Sequence, residues 1–284
     1  MPRTPSLSTL AAAIAEELLT AMQATRASGA DIDSLHRLRV AARRLRALLS
    51  LSCERLPETG WRPLHAALRA LLRATGPTRD WQVLRTETLP ALLPAVEAEA
   101  GVRSRLLDAA GRQESIARRR VGVALQGQPL LALLLALEGY LLACATLEAD
   151  DEAFGQTATR VLERQHRRLR HRARHLQRDD PEALHQLRLR LKAQRYRVEL
   201  LAPGYPGKAV RRYLARLKRL QDQLGQLQDL QVAQQHLRGL RLPNAPTRAL
   251  RRQLCQRCAE TAATRLANIK GLRLRDDGFR RFWD

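Results

Sequence analysis

The sequence predicts an all-α protein that arose by internal duplication of a helical unit. Apolar residues recur at spacings of three and four, alternation of β-branched residues is missing, and the helical runs stop at proline and glycine. With 284 residues and 45% apolar content, the chain is long enough to form a sizeable core. Repetition of several motifs at one fixed offset indicates the duplication.

Helix breaks are predicted at short stretches that contain proline, glycine or aspartate, and they leave helices of roughly 15 to 30 residues between them. These breaks are residues 28–33, 57–60, 76–77, 127–129, 179–181, 203–207 and 243–246. Asp33 or Ser34 is expected to cap the second helix, and Asp179 or Asp180 the helix that begins near Pro181.

Two apolar runs resemble targeting or membrane segments. The run Leu10–Ala15 is followed by Glu16 and continued helical periodicity, which favours an amphipathic first helix over a signal peptide. Residues 129–147 approach membrane-spanning length, but Glu138 near the middle would be costly in lipid. We therefore expect a central core helix there and no membrane partner.

The chain is strongly basic. It contains 50 Lys and Arg against 28 Asp and Glu, which gives a formal charge of +22. Such an excess repels itself unless a polyanion is nearby, and the planar guanidinium group of the abundant arginines suits phosphate oxygens. Aromatic residues make up only 4% and are scattered, so the stacking platforms typical of single-strand nucleic-acid binders are missing.

Two predicted helices each carry a ladder of cations on the face opposite their leucines. The cations of one ladder fall within an arc of about 80°. The first ladder is His36, Arg39, Arg43 and Arg46, and the second is His185, Arg188, Lys192 and Arg195. One such face alone is usually just solvated, but two in register point to a slot for an anion, with a cation every 5 to 6 Å or so.

The ladders are related by an offset of 149 positions that continues without a gap. Pairs that keep this offset include Pro57 and Pro206, Gly76 and Gly225, and Asp80 and Asp229. We predict a single domain over 1–284 with a first half at 1–150 and a second at 151–284, meeting near Asp150. The halves are not equivalent, because Arg44 corresponds to Ala193 and Arg79 to Gln228.

These residues resemble the CHAD family, the conserved histidine α-helical domain. The resemblance is carried by HRLRVAARRLR at 36–46 and HQLRLRLKAQRY at 185–196. They are followed by LxxLxxxTG at 68–76 and LxxLxxxLG at 217–225, and then by Asp80 and Asp229. It implies two pseudo-symmetric helical bundles, of about four main helices each, with a basic groove between them. It also implies binding of inorganic polyphosphate along that groove.

We therefore expect a non-enzymatic polyphosphate-binding protein without a cofactor, located in the cytoplasm and associated with polyphosphate granules. The alternatives are a nucleic-acid-binding helical protein and a polyphosphate-processing enzyme. Besides the two ladders, the expected polyphosphate-binding residues are cations next to the ladders or on the helices that follow them. These are Arg44, Arg62, Arg69, Arg211 and Lys218.

No catalytic or metal-binding residues are expected. His36 and His185 are interpreted as phosphate donors rather than structural hydrogen-bonding groups or metal ligands, because no carboxylates accompany either ladder. Asp80 and Asp229 are expected to orient arginines or to cap helix starts.

Four cysteines show no disulfide spacing, and Cys255 and Cys258 form a CxxC without a second pair. A basic helix at 154–178 lines the same groove or forms its outer wall.

Overall fold

The computed structural model describes residues 6–147, 151–269, 272, 274 and 279–283, and these contain helices but no β-strand. A π-helical turn, Leu84–Thr88, follows α3, and short 3-10 turns follow α4 and α8. The helices are α1 (Leu7–Ala27), α2 (Ile32–Ser52), α3 (Glu58–Val83), α4 (Leu89–Leu92), α5 (Ala100–Ala124), α6 (Gly127–Ala145), α7 (Asp151–Arg174), α8 (Pro181–Leu201), α9 (Gly207–Gly239) and α10 (Ala245–Asn268).

The two ladder helices, α2 and α8, pack directly against each other. Their apolar faces belong to one continuous core, in which Leu38 and Leu45 of α2 and Leu187 and Leu191 of α8 are buried. Around this contact α2 also packs against α1, α3 and α7, while α8 packs against α7 and α9. Each helix buries its leucine stripe in this core, so the cation ladders lie along the edge of the contact between α2 and α8. We call this edge the seam.

A second core lies at the other end of α3 and α9. This core contains Trp81 of α3, Leu106 of α5, Leu237 of α9 and Leu254 of α10. The long helices α3 and α9 therefore run from one core to the other. Their contact with each other holds the helices that flank the seam in place.

The predicted break at Gly76-Pro77 is wrong, because α3 continues through it. Proline lacks the N–H that would donate to a carbonyl one turn earlier, which usually ends a helix. Here Arg39 Nη1 donates to the carbonyl of Leu72 at 3.0 Å and to Oγ1 of Thr75 at 2.8 Å. The carbonyl that loses its donor to Pro77 is that of Arg73. Arg39 of α2 bonds to the neighbouring carbonyl of Leu72, within the same turn of α3.

The helix caps match the sequence prediction in one half only. Asp180 caps α8 by accepting hydrogen bonds from the backbone of Glu182 at 2.8 Å and Ala183 at 3.2 Å, as expected. In α2, however, the cap is Asp31, whose Oδ1 accepts from the Ser34 N–H at 2.6 Å. The helix therefore starts earlier than predicted, since Asp31 satisfies a first-turn amide that Asp33 cannot reach.

The prediction that the apolar run after Gly127 is a central core helix is wrong. Leu133 and Leu137 of α6 are buried, but Leu135 is 59% and Leu142 65% exposed. By length and composition α6 is the one helix of the described chain that could cross a membrane, with 22% of the relevant window buried. Its apolar residues extend around the helix, whereas its contacts with α1, α3 and α5 cover only part of that surface.

The internal duplication and the domain halves stay predictions. Their proposed meeting point, Asp150, lies outside the described residues. The four cysteines are free thiols, and Cys255 and Cys258 occupy successive turns of α10.

Candidate anion-binding site

One arginine of each ladder lies over a glycine of the following helix. A Cβ atom at Gly76 would lie 3.9 Å from Nη1 of Arg39, and a Cβ at Gly225 would lie 3.7 Å from Nε of Arg188. The two contacts are related by the same offset of 149 positions as the motifs. At these distances an added Cβ would make only ordinary van der Waals contact, so both guanidinium groups lie against the following helix at the seam without requiring glycine there.

The two ladders meet at Arg43 and Lys192. These residues come from α2 and α8, and both line one cavity between α2, α3 and α8. Burial and the charges of Arg188 and Arg43 lower the pKa of Lys192 to about 7. Burial and Arg43 likewise lower the pKa of Arg39 to about 10. We call Arg39, Arg43, Arg188 and Lys192 the seam cations.

Two carboxyl groups lie beside the four seam cations and offset part of their charge. Burial raises the pKa of Asp80, although Arg39 acts in the opposite direction, and burial raises the pKa of Asp229 against the effect of Arg188. Asp229 Oδ1 lies 3.9 Å from Nη2 of Arg188. Both aspartates lie inside helices, so the alternative that they cap helix starts is wrong. Their positions fit the other expectation, that they orient arginines.

The two ladder histidines have different surroundings. Burial and then Arg79 and Arg43 lower the pKa of His36. His185 Nδ1 instead lies 2.7 Å from Oε1 of Gln228, and because that oxygen only accepts, Nδ1 is the donor. The residue before Asp80 is Arg79, whose positive charge acts on His36. The residue before Asp229 is Gln228, whose amide bonds to His185. The half-sites are therefore chemically distinct, as Arg79 and Gln228 predict.

The remaining first-half candidates divide between the cavity and the outer surface. Arg46 lines the cavity, and burial followed by the charges of Arg69 and Arg43 lowers its pKa. Arg44 points away towards α1, where its Nη1 lies 2.5 Å from Oε2 of Glu17. Arg69 is exposed on α3, where its charge acts on Arg46.

The outermost candidates lie apart from the seam cations or already have acidic partners. Arg62 is exposed and pairs with Glu58 at 2.6 Å. Arg195 pairs with Glu199 at 3.1 Å. Arg211 and Lys218 are exposed on the first half of α9.

Several buried guanidinium nitrogens near the seam have no hydrogen-bond partner among the described residues. These are Arg46 Nε, Arg79 Nη1 and Arg188 Nε. Buried donors are normally satisfied, so these nitrogens leave part of the seam's hydrogen-bonding capacity unused in the free protein.

Two arginines of the candidate site are not among the residues predicted from the sequence. Arg79 acts on His36 from α3, and its position before Asp80 was a usable signal. Arg197 is half-buried, donates from Nε to Oγ of Ser50 at 2.7 Å and lines the cavity. Desolvation and the charge of Arg190 lower its pKa to about 10. No helical pattern could have found it, because Arg197 lies about 200° around α8 from Arg195.

The basic face of α7 builds a separate feature. Arg167, Arg168, His171 and Arg172 surround a shallow pocket together with Arg190 of α8. None of these residues lines the cavity at the seam. Of the two interpretations of this helix, the outer wall is the one that the geometry favours.

Fold and site together define an all-α protein with a cation-lined seam between two packed helices. The family model of the CHAD domain matches residues 13–238, and the chain belongs to that family. Two relatives from Mycobacterium tuberculosis, uncharacterized protein MT2285 of strain CDC 1551 / Oshkosh and uncharacterized protein Rv2226 of strain ATCC 25618 / H37Rv, are each 31% identical over 237 residues. The matches cover 78% of this chain but 43% of each relative, so the chain spans less than half their length.

Solved structures give the same result. The crystal structure of the CHAD domain from the plant Ricinus communis superposes with a TM-score of 0.79 at 25% identity, covering 96% of this chain and 92% of that one. PptA from Streptomyces chartreusis has a TM-score of 0.67 at 18% identity, covering 94% and 98%, and shows a similar fold. The all-α fold and the family predicted from the ladder motifs are thereby confirmed.

Proposed function

We propose that this chain binds inorganic polyphosphate along the seam between α2 and α8 without hydrolysing it. The observation that carries the proposal is the meeting of Arg43 and Lys192, which come from different ladders and line one cavity. Like charges brought together in this way destabilise the free protein, so their arrangement is explained by an anion that binds between them.

The chemistry of the seam fits a ligand made of repeated phosphate oxygens. Guanidinium groups bind such oxygens through charge-assisted hydrogen bonds, and arginine provides three of the four seam cations. The two nearby carboxyls, Asp80 and Asp229, have raised pKa values and offset only part of the positive charge. A flexible polyanion can follow the ladders from one helix to the other.

Binding without hydrolysis is proposed because phosphoryl transfer usually depends on divalent ions held by clustered carboxylates. In the part of the chain that the structure describes, no three His, Cys, Asp or Glu side chains are grouped to hold a metal. The assay is orthophosphate release from polyphosphate with added magnesium or manganese. Release above the protein-free rate would contradict this part of the proposal.

Replacement of all four seam cations with alanine tests the site. We expect loss of binding to long-chain polyphosphate, measured by titration, with helicity retained by circular dichroism. The matched control removes the same number of positive charges from the exposed α5 residues Arg105, Arg112, Arg119 and Arg120. If the control loses as much affinity as the seam variant, net charge rather than the seam is responsible for binding.

Competition distinguishes the nucleic-acid alternative. Duplex DNA or RNA, added at equal phosphate concentration, should displace polyphosphate poorly, since a stiff double helix cannot follow a narrow row of cations as a flexible chain can. Equal displacement would favour the nucleic-acid function. In the cell, we infer a cytoplasmic protein that associates with polyphosphate granules, which a fluorescent fusion would test.

A further inference from the structure

The cavity beside the seam is larger and less polar than a phosphate chain requires. It has a volume of about 460 Å³ and opens between α2, α3 and α8. One part of its wall carries Arg43, Arg46, Lys192 and Arg197. This volume lies within the range that holds small organic ligands.

The wall also carries apolar and aromatic side chains, besides the polar groups of Ser50 and His65. The apolar part includes Leu49 of α2, Trp61 of α3, and Leu189 and Tyr196 of α8. Leu189 is 43% exposed and Trp61 is half-buried, so neither is fully packed within the protein. Inorganic polyphosphate presents only oxygens, and contact with it would not remove this apolar surface from water favourably.

Cations and apolar side chains that line one cavity fit a ligand with two chemically different parts. Among the described residues no carboxylate lines the cavity, so its walls do not repel an anion. We propose that this cavity binds a nucleoside phosphate, with its phosphates at Arg43 and Lys192 and its base between Trp61 and Leu189. Flat π-systems stack favourably on indole, and stacking depends little on the identity of the base.

This inference rests on the proposed function for the phosphate end, because Arg43 and Lys192 belong to both sites, and it goes beyond that function in the apolar wall. The probe is adenosine triphosphate compared with inorganic tripolyphosphate, both without divalent metal and at the same salt concentration. The two have the same number of phosphates, and tripolyphosphate carries at least as much charge. Electrostatics alone would therefore make tripolyphosphate the tighter ligand, whereas base stacking makes the nucleotide tighter by about tenfold.

Two substitutions test the position of the base. Trp61→Leu keeps an apolar side chain but removes the ring, and Leu189→Ala removes the opposite wall. Both are expected to lower the affinity ratio of nucleotide to tripolyphosphate towards one. This ratio does not depend on the fraction of folded protein, so a loss of stability cannot imitate the effect. Quenching of Trp61 fluorescence by the nucleotide, lost in Trp61→Leu, is a second measurement.

Leu131→Ala is the matched control, because Leu131 is exposed to a similar degree, 49%, and lies on α6 outside the cavity. It should leave the ratio unchanged. Tripolyphosphate binding as tightly as the nucleotide, or a ratio that neither cavity substitution alters, would overturn the proposal. Long-chain polyphosphate binding by the Trp61→Leu and Leu189→Ala variants is measured in parallel, so that failure of the nucleotide site is distinguishable from failure of the seam.

Discussion

Among single residues, Lys192 couples the stability of the protein most directly to its ligand. Its ammonium group is half-buried beside Arg188 and Arg43, which together with burial lowers its pKa to about 7 from the usual 10.5. In the free protein the group is therefore partly deprotonated at neutral pH. A bound polyanion favours the charged form and raises the pKa again.

This coupling predicts opposite pH dependences for stability and binding. Between the folded and unfolded pKa values the unfolded chain holds more protons at Lys192, so the free energy of unfolding rises with pH from about 7 to about 10. Polyphosphate affinity should fall over the same range, because binding then requires uptake of a proton. Lys192→Met should remove the pH dependence of both the free energy of unfolding and the polyphosphate affinity over this range; we call these the two slopes. It should also stabilise the free protein at pH 7 by roughly 1 kcal/mol.

Chemical denaturation and ligand titrations at several pH values measure the two slopes. Lys208→Met, a substitution of an exposed lysine in the first turn of α9, is the control and should keep both. Unchanged slopes in the Lys192 variant would contradict the assignment.

At this scale the sequence predicted much of the site. Arg39, Arg43 and Lys192 were identified because their spacing places them on one helix face, a local property. Arg44 was also included, yet its partner Glu17 comes from another helix, and such a tertiary contact leaves no local pattern. For the same reason Arg197 escaped the pattern, since its burial depends on how α8 meets α2.

At the scale of helices, the contact between α3 and α6 depends on one glycine. A Cβ atom at Gly60 would lie 2.9 Å from the Cβ of Ala143, closer than two such atoms normally approach. Gly139, on α6 itself, has open space in the direction of a Cβ. The same substitution is therefore expected to have opposite effects at the two positions.

Gly60→Ala should destabilise the protein by about 1 to 3 kcal/mol, because the two helices must move apart. Gly139→Ala should stabilise it by about 0.5 to 1 kcal/mol, because alanine restricts the unfolded chain and favours the helix. Thermal or denaturant unfolding measures both. Adding Ala143→Gly to the Gly60→Ala variant should restore most of the lost stability. A lack of recovery would show that the contact between residues 60 and 143 is not the cause.

The errors in helix prediction have physical causes. A leucine-rich run has the same composition whether it lies in a core or at the surface, so α6 could not be placed from sequence. Gly76-Pro77 ends most helices, but here Arg39 of a distant segment bonds to α3 beside the proline. In both cases the deciding interaction connects parts of the chain that are far apart in sequence.

For the whole molecule, the charge of +22 acts against the compact state. Raising salt from about 0.1 M to about 1 M shortens the Debye length from about 10 Å to about 3 Å. We expect the melting temperature of the free protein to rise with salt, since repulsion is screened, while polyphosphate affinity falls steeply through counterion release.

Differential scanning fluorimetry and titrations over this range measure the two trends. The alanine variant of the four seam cations should show a weaker increase in melting temperature with salt than the α5 control variant, because the seam places its charges closer together. A melting temperature that falls with salt would contradict the view that self-repulsion limits stability.

The glycine contacts of the seam have a consequence for the entropy of binding. Arg39 is already fixed by hydrogen bonds to Leu72 and Thr75, and Arg188 lies against Gly225. A free arginine side chain carries about 2 kcal/mol of rotamer entropy, and these two have lost much of theirs during folding. The ligand therefore meets a preorganised set of donors, and most of the conformational adjustment on binding falls to the flexible anion.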